Sequence, residues 1–294
     1  MKVGIYGQFY HKHSEQYIEQ ILEALKKKDI QVAVEKNFLK LIKHHEQIDT
    51  NVATFSSFTE VDHSYDLFFS IGGDGTLLKS ITFVRDLGIP IVGINTGTLG
   101  FLATIQKEKI SESIDQIVSG AFKISERSLL SIETEPNCKE IGDLNFALNE
   151  IAINRKNTTS MIKVETFIND EHLASYWSDG LIVSTPTGST GYSLSCGGPI
   201  MDPGSNSIVL TPIAPHNLNA RPFVIPDDSE ITLKVTGREK SYLISLDSRI
   251  ATLKDNTLIH IRKAPFTIKL AQLKEDSFIK TLREKLLWGE DRRN

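Results

Sequence analysis

The residues best suited to chemistry form Ile71-Gly72-Gly73-Asp74-Gly75-Thr76, one carboxylate among three glycines. The preceding run, Leu67-Phe68-Phe69-Ser70-Ile71, is apolar and reads as a buried strand. From Thr76 a helical pattern runs through Leu77, Leu78, Ile81, Phe83 and Val84 to about Leu87. Such a strand–turn–helix lets backbone N–H groups approach a phosphate, beside the partial positive charge of a helix N-terminus. Asp74 is the unusual member. A carboxylate repels phosphate and is better suited to taking a proton from an attacking hydroxyl. An ordinary αβ turn also favours Gly and Asp for geometry alone, so both readings stand on this segment.

Three further polar segments share this character. Asn95-Thr96-Gly97-Thr98-Leu99-Gly100-Phe101-Leu102 follows a strand, at the edge where open α/β sheets bind ligands, although a domain-connecting turn has the same composition. Residues 179–203 are the richest. Asp179-Gly180-Leu181-Ile182-Val183-Ser184 reads as a strand that delivers Thr185, Thr187, Gly188, Ser189, Thr190 and Gly191 into a turn, with a short helix after it. Hydroxyls and free N–H groups there could satisfy a base, ribose or phosphate, and Tyr192 offers a face for stacking. Asn149-Glu150 interrupts the apolar strand 146–153. A buried carboxylate there needs a ligand, a hydroxyl or a cation; the alternative is the solvent face of an edge strand.

The elements that must hold these segments fall into two textures. Residues 2–6 read as a strand closing in a loop at Gly7. Tyr17, Ile18, Ile21, Leu22 and Leu25 share one helical face, and 30–34, 67–71 and 89–94 read as strands. Strands alternating with helices imply a parallel sheet with right-handed crossovers. No Gly-x-Gly-x-x-Gly follows the first strand, so the usual dinucleotide fingerprint is missing. After a helix at Ile110–Val118 the chain becomes a succession of short strands from Phe122 to about Leu273, among them 162–168, 231–235, 242–246, 258–261 and 266–270. Asn169-Asp170 is expected to be a hairpin turn. The last segment, through Phe278, Ile279, Leu282, Leu286 and Leu287, is helical in period. The expected fold is α/β: a parallel-sheet domain over 1–125, a β-rich, sandwich-like domain over 126–276, and a final helix, 277–294, packed back on the first.

Composition narrows the function classes. The 294 residues are 40% hydrophobic, enough for a sizeable core, and the formal net charge of -4 supplies no basic field for nucleic acid. Lys26-Lys27-Lys28 suits a solvated helix end. No secretory signal or membrane span is apparent, so a soluble cytoplasmic protein is expected. Cys138 and Cys196 make no disulfide framework or metal set. His11 with His13, and His44 with His45, cannot share one helical face, so no metal site is expected. His216 differs, lying in the loop-like Pro212-Ile213-Ala214-Pro215-His216.

Together these segments resemble the NAD kinase family. The matching pieces are Gly72-Gly73-Asp74-Gly75-Thr76, Asn95-x-Gly97-x-Leu99-Gly100-Phe101-Leu102, Asn149-Glu150, Asp179-Gly180-Leu181 with Ser184-Thr185-Pro186-Thr187-Gly188-Ser189-Thr190, and Pro212 to His216 with Arg221-Pro222. The first is shared with phosphofructokinases and diacylglycerol-type lipid kinases; the combination in this order is specific. The resemblance implies transfer of the ATP γ-phosphoryl group to the 2′-hydroxyl of the adenosine ribose of NAD. It also implies a divalent cation, usually Mg²⁺, bound mainly through ATP, a site between the two domains, and a homodimer or homotetramer. In that reading Asp74 is the proton acceptor, and Gly75 touches the dinucleotide through its backbone. Asn149 and Glu150 face ribose and base, Asp179 binds nucleotide, and Thr187 stands in the matching hydroxyl-rich run. Thr190, Gly191, Tyr192, Ser193 and Ser195 belong to the adenine-side turn, Ala214 packs closely, and Asp247 lies near the substrate.

Four positions depart from the family pattern. Gly191 stands where Ala is common, Trp177 where a basic residue is common, Ser160 where His is often found, and Arg249 where bacterial relatives often have Gln. Arg249 could reach pyrophosphate or a neighbouring subunit. Two other readings compete: a lipid kinase, which would need no second nucleotide turn, and a non-catalytic NAD(P) sensor, which would not need Asp74.

Overall fold

A computed structural model describes residues 1–8, 15–42, 52–157 and 159–287. His11, His13, His44 and His45 lie outside the described residues. The chain forms two compact units, Met1–Glu126 with Ile268–Asn294, and Arg127–Thr267.

The first unit is built on parallel strands: β1 (Lys2–Gly7), β2 (Gln31–Glu35), β3 (Ala53–Phe55), β4 (Leu67–Ile71), β5 (Ile91–Asn95) and β6 (Ile105–Gln106). The order β5-β4-β1-β2-β3, with β6 also on β5, departs from sequence order and demands crossovers. Helices α1 (Glu15–Lys27), α2 (Lys36–Ile42) and α3 (Asp74–Val84) lie in three of these crossovers, and α4 (Ile110–Val118) follows β6. Every residue of β4 and β5 is buried, as expected for a parallel sheet covered on both faces. Ile18, Ile21 and Leu25 of α1 and Ile110, Ile114 and Ile117 of α4 share one core with Ile5, Phe69 and Val92 of the sheet. Phe55, Tyr65, Phe68 and Phe83 form a separate aromatic cluster.

Helix α3 begins two residues earlier than its apolar pattern, at Asp74, with Gly73 as N-cap. The turn is therefore only Gly72-Gly73. Gly72 has φ +148°, and a Cβ there would lie 2.2 Å from Thr76 Oγ1. The helix also stops early, at Val84, and a 3-10 turn completes Arg85–Leu87.

Strand β7 (Phe122–Glu135) carries the chain into the second unit. There follow β8 (Phe146–Ala147), β9 (Glu150–Asn154), β10 (Ile162–Ile168), β11 (Glu171–Ser178), β12 (Gly180–Ser184), α5 (Tyr192–Ser195), β13 (Ser207–Ile213) and β14 (Phe223–Pro226). Next come β15 (Ile231–Thr236), β16 (Ser241–Leu246), β17 (Arg249–Lys254) and β18 (Leu258–Leu273). One sheet runs β11-β10-β15-β18, the other β14-β13-β12-β9-β16-β17, and their pairings are antiparallel. Inward residues of both, among them Val164, Leu233 and Ile259 against Ile153, Leu181 and Ile244, make one core, a β-sandwich.

Two expectations need correction. The strands are not all short: the separate strands 258–261 and 266–270 are one 16-residue strand, β18, extended through Ala264-Pro265. Its tail re-enters the first unit, where Leu270 pairs with Ile91 in parallel. Conversely, the single strand 146–153 is two. Ala147 of β8 pairs with Leu130, whereas Glu150 of β9 pairs with Ser184 in the other sheet. The chain changes sheets at Leu148-Asn149, which is why polar residues interrupt the apolar run there. The turn Asn169-Asp170 joins β10 to β11 with φ 49° and 65°, the geometry that suits a two-residue hairpin. The last helix, α6 (Phe278–Leu286), starts at an N-cap Ser277 that accepts from the Lys280 N–H. It belongs to the first unit, with Phe278 against Phe101 and Lys285 Nζ donating to Leu99 O.

Candidate active site

Asp74 and Gly75 belong to the first unit; the other site candidates belong to the second. Asp74 is half-buried at the first turn of α3. Its Oδ2 accepts the Phe101 N–H at 2.8 Å, and its Oδ1 accepts those of Leu102 and Ala103, both at 3.0 Å. A carboxylate offers about four acceptor positions. Three are taken by successive amides of one loop, so the carboxylate is aimed by the backbone and keeps one position, on Oδ2. Gly100 makes the approach possible, since a Cβ there would fall 1.9 Å from Asp74 Oδ1. Asn95 shapes the same loop: its Nδ2 donates to Thr98 O at 2.7 Å and its Oδ1 accepts the Gly97 N–H at 2.7 Å. Gly75 is exposed beside Asp74. The sequence marked this loop as a turn; what it could not show is that backbone amides of Phe101, Leu102 and Ala103 are its working groups.

In the second unit the sheet change at 148–149 is knitted to the turn after β12. Thr185 N–H donates to Asn149 O at 2.9 Å, and Thr185 Oγ1 donates to Leu148 O at 2.6 Å. Gly188 packs so closely that a Cβ would sit 2.1 Å from Asn149 O. Residues Thr187–Thr190 form a 3-10 turn, with α5 directly after Gly191. Asn149 Oδ1, Glu150 Oε2 and Thr187 Oγ1 are buried with no hydrogen-bond partner in the structure. A Cβ on Gly191 would lie 3.0 Å from Glu150 Oε2 and 3.4 Å from Asn149 Nδ2. The glycine thus leaves open the space into which these two side chains converge. Unsatisfied buried polar atoms are costly, and a cluster of them at one turn is what a polar ligand would satisfy.

Electrostatics single out Glu150. Burial, and then the negative charge of Asp247, push its carboxyl up to about 8, against the opposing Tyr192 backbone N–H. Tyr192 is 39% exposed at the start of α5, and its phenol is raised, chiefly by burial.

The remaining candidates take distinct places. Asp179 pairs with Arg155, Nε to Oδ1 3.0 Å, a partner 24 residues away that only the β9–β12 pairing brings close. Ser193 is buried, its Oγ 2.8 Å from Thr211 Oγ1, while Ser195 is exposed. Thr190 Oγ1 donates to Thr187 O. Ala214 is exposed with φ 45°, just past Ile213, whose carbonyl accepts the Asp179 N–H. Trp177 is half-exposed on β11, and its carbonyl accepts the His216 N–H. Ser160 is half-buried in the loop before β10. Asp247 opens the β16–β17 turn and Arg249 follows it as the first residue of β17. The Asp247 side chain is 1% exposed, and the Arg249 guanidinium donates to Leu144 O and Phe146 O. Arg249 therefore holds backbone on its own chain.

Comparison with known proteins identifies relatives over the whole chain. Residues 3–122 match the ATP-NAD kinase N-terminal domain family and residues 148–273 the ATP-NAD kinase C-terminal domain family. A NAD kinase of Christiangramia forsetii is 59% identical over 294 residues, and one of Flavobacterium psychrophilum is 52% identical, each with full coverage of both chains. Among solved structures, yeast NADH kinase complexed with NADH superposes with a TM-score of 0.84 at 23% identity, covering 99% of this chain and 88% of that one. An Archaeoglobus fulgidus NAD kinase in complex with ATP gives 0.76 at 24% identity, covering 98% and 99%. Those two likenesses speak for the fold. With both domain families matched in order and relatives this similar over the whole length, the chain belongs to the NAD kinase family.

Proposed function

We propose that the protein transfers the γ-phosphoryl group of ATP to the 2′-hydroxyl of the adenosine ribose of NAD, giving NADP and ADP, with Asp74 as the residue that orients and deprotonates that hydroxyl. The observation that carries the role is the Asp74 carboxylate itself, held by three amides with one acceptor position left on Oδ2. Phosphoryl transfer asks the protein for an in-line nucleophile and charge stabilisation rather than covalent chemistry, so a rigidly aimed acceptor suits it. The free acceptors of Asn149 and Glu150 and the hydroxyl of Thr187 would receive ribose and base groups, with the exposed Tyr192 ring as a stacking face. Glu150, raised to about 8, would be largely protonated at neutral pH and could donate as well as accept.

Among the described residues no three of His, Cys, Asp or Glu converge on one point. We infer that a divalent cation enters on the phosphates of ATP, where it neutralises charge. No described helix is long and apolar enough to cross a membrane. A cytoplasmic homodimer or homotetramer follows from the family resemblance, and light scattering on the purified protein reads the assembly.

The direct test is NADP formation from NAD and Mg-ATP, read with an NADP-specific dehydrogenase. The wild-type protein is expected to be active. Asp74→Asn is expected to retain NAD binding by calorimetry while kcat falls about 10²-fold or more. An inactive wild-type protein overturns the function; a fully active Asp74→Asn overturns the role of Asp74.

A further inference from the structure

Asp247 is the first residue of the two-residue turn between β16 and β17, where Leu246 pairs with Arg249. Its φ of 53° is left-handed, a conformation that Asp tolerates better than most residues. The turn directs the side chain inward, where it is almost fully buried. Oδ2 accepts the Leu148 N–H at 3.0 Å; Oδ1 accepts those of Asn149 at 2.8 Å and Glu150 at 3.3 Å. The backbone N–H of Asp247 donates in return to Glu150 O at 3.0 Å. All four bonds fall on the three residues at which the chain passes from one sheet to the other. Directly after the turn, Arg249 fixes the carbonyls of Leu144 and Phe146 and stands 3.7 Å from Asp247 Oδ2.

We propose that Asp247 is a positioning residue: by binding the successive amides of Leu148, Asn149 and Glu150 it sets the aim of the Asn149 and Glu150 side chains at the nucleotide, without touching the substrate itself. The proposal rests on the functional reading above. It gives a physical role to the carboxylate that resemblance sets near the substrate. With its side chain buried and its oxygens given to three amides, Asp247 has little left to offer a ligand. Its arrangement repeats that of Asp74, whose carboxylate receives the amides of Phe101, Leu102 and Ala103. Asp74 keeps its remaining acceptor position at a half-exposed helix start; that of Asp247 is shut in by burial, with the Arg249 guanidinium 3.7 Å from Oδ2.

Only a carboxylate can serve here. An amide at this position would turn an N–H₂ donor toward one of the three N–H groups, losing one bond and opposing two donors. Asp247→Asn, which keeps the shape and the tolerance for left-handed backbone, is therefore the informative variant. Its expected result is a KM for NAD raised about tenfold to a hundredfold, with kcat and the KM for ATP within about threefold of wild type. The second readout is the pH dependence of NAD affinity. The groups facing Glu150 are Asp247 from the hairpin and the Tyr192 N–H and phenol from α5, with Arg249 behind Asp247. Removing the Asp247 charge removes one of the influences that raise Glu150, so the inflection of affinity against pH is expected to move toward acid.

An unchanged KM for NAD overturns the proposal. So does a parallel loss of kcat, both KM values and thermal stability, which is the signature of a loosened fold. If Asp247→Asn is recovered only unfolded, Asp247→Ser, which retains one acceptor, is judged by the same criteria; failure of both to fold makes Asp247 a folding residue and overturns the proposal. Wild-type protein without NADP formation would instead sink the functional reading, so the two failures are distinguishable.

Discussion

A glutamate that stays protonated near neutral pH leaves a mark on stability as well as on binding. Glu150 has a folded-state pKa of about 8 against an ordinary value of 4.5, raised first by burial and then by Asp247. Because the folded state holds the proton more tightly than the unfolded state, this group's contribution is complete below 4.5 and is lost as pH rises through about 8. Glu150→Gln removes the titration while keeping the shape. Its melting temperature relative to wild type is therefore expected to improve steadily as pH rises from about 4.5 and to level off above about 8. A difference between the two proteins that stays constant across that range would refute this account of Glu150. Such a charge state was not readable from Asn149-Glu150 in the sequence. The pair announced a polar interruption, but burial and the nearness of Asp247, 97 residues on, arise only from folding.

At the scale of elements, glycines decide which groups can meet. Gly100 lets the loop 101–103 close over Asp74, and its replacement by Ala would place a methyl carbon 1.9 Å from Asp74 Oδ1. The loop must then retreat and the carboxylate lose its amides. Gly100→Ala is expected to lower kcat by about 10²-fold, since small misplacements of catalytic groups carry penalties of that order, and steady-state kinetics with a parallel melting curve checks this. A kcat within about twofold of wild type would show that the loop accommodates the methyl group. The sequence placed this loop correctly at the end of β5 and read the strand–turn–helix around Asp74 from its apolar pattern. It missed where α3 starts, because helix N-termini are set by capping and backbone geometry around Gly73 rather than by apolar period. The sheet change at 148–149 was hidden for a related reason. An apolar run looks alike whether its two halves join one sheet or two.

For the molecule as a whole, the sandwich core is the largest stabilising feature of the second unit. Leu181 on β12 is fully buried within it, among side chains from both sheets. Leu181→Ala is expected to destabilise by about 2–5 kcal/mol, read as a shift in the urea midpoint without change in slope. An unchanged midpoint would mean that the site collapses to fill the void. The formal net charge of -4 supplies no overall basic field, so attraction of any anionic group must come from local donors rather than from the molecule as a whole.

By itself the sequence determined the two textures of the chain, the alternation of strand and helix in the first unit and the β-rich second, since local periodicity follows directly from which faces must be buried. It also marked Asp74, Asn149, Glu150 and the turn 187–195 as chemical, because glycines, hydroxyls and a carboxylate in apolar surroundings are conspicuous. Tertiary structure alone decided what holds them. The amides on Asp74, the hairpin carboxylate of Asp247 under 148–150, the Arg155 partner of Asp179 and the return of β18 to β5 all join residues far apart in the chain. Composition around each partner is unremarked by itself; a hydrogen bond or ion pair is a fact about distance, and distance is fixed only when the sheets close.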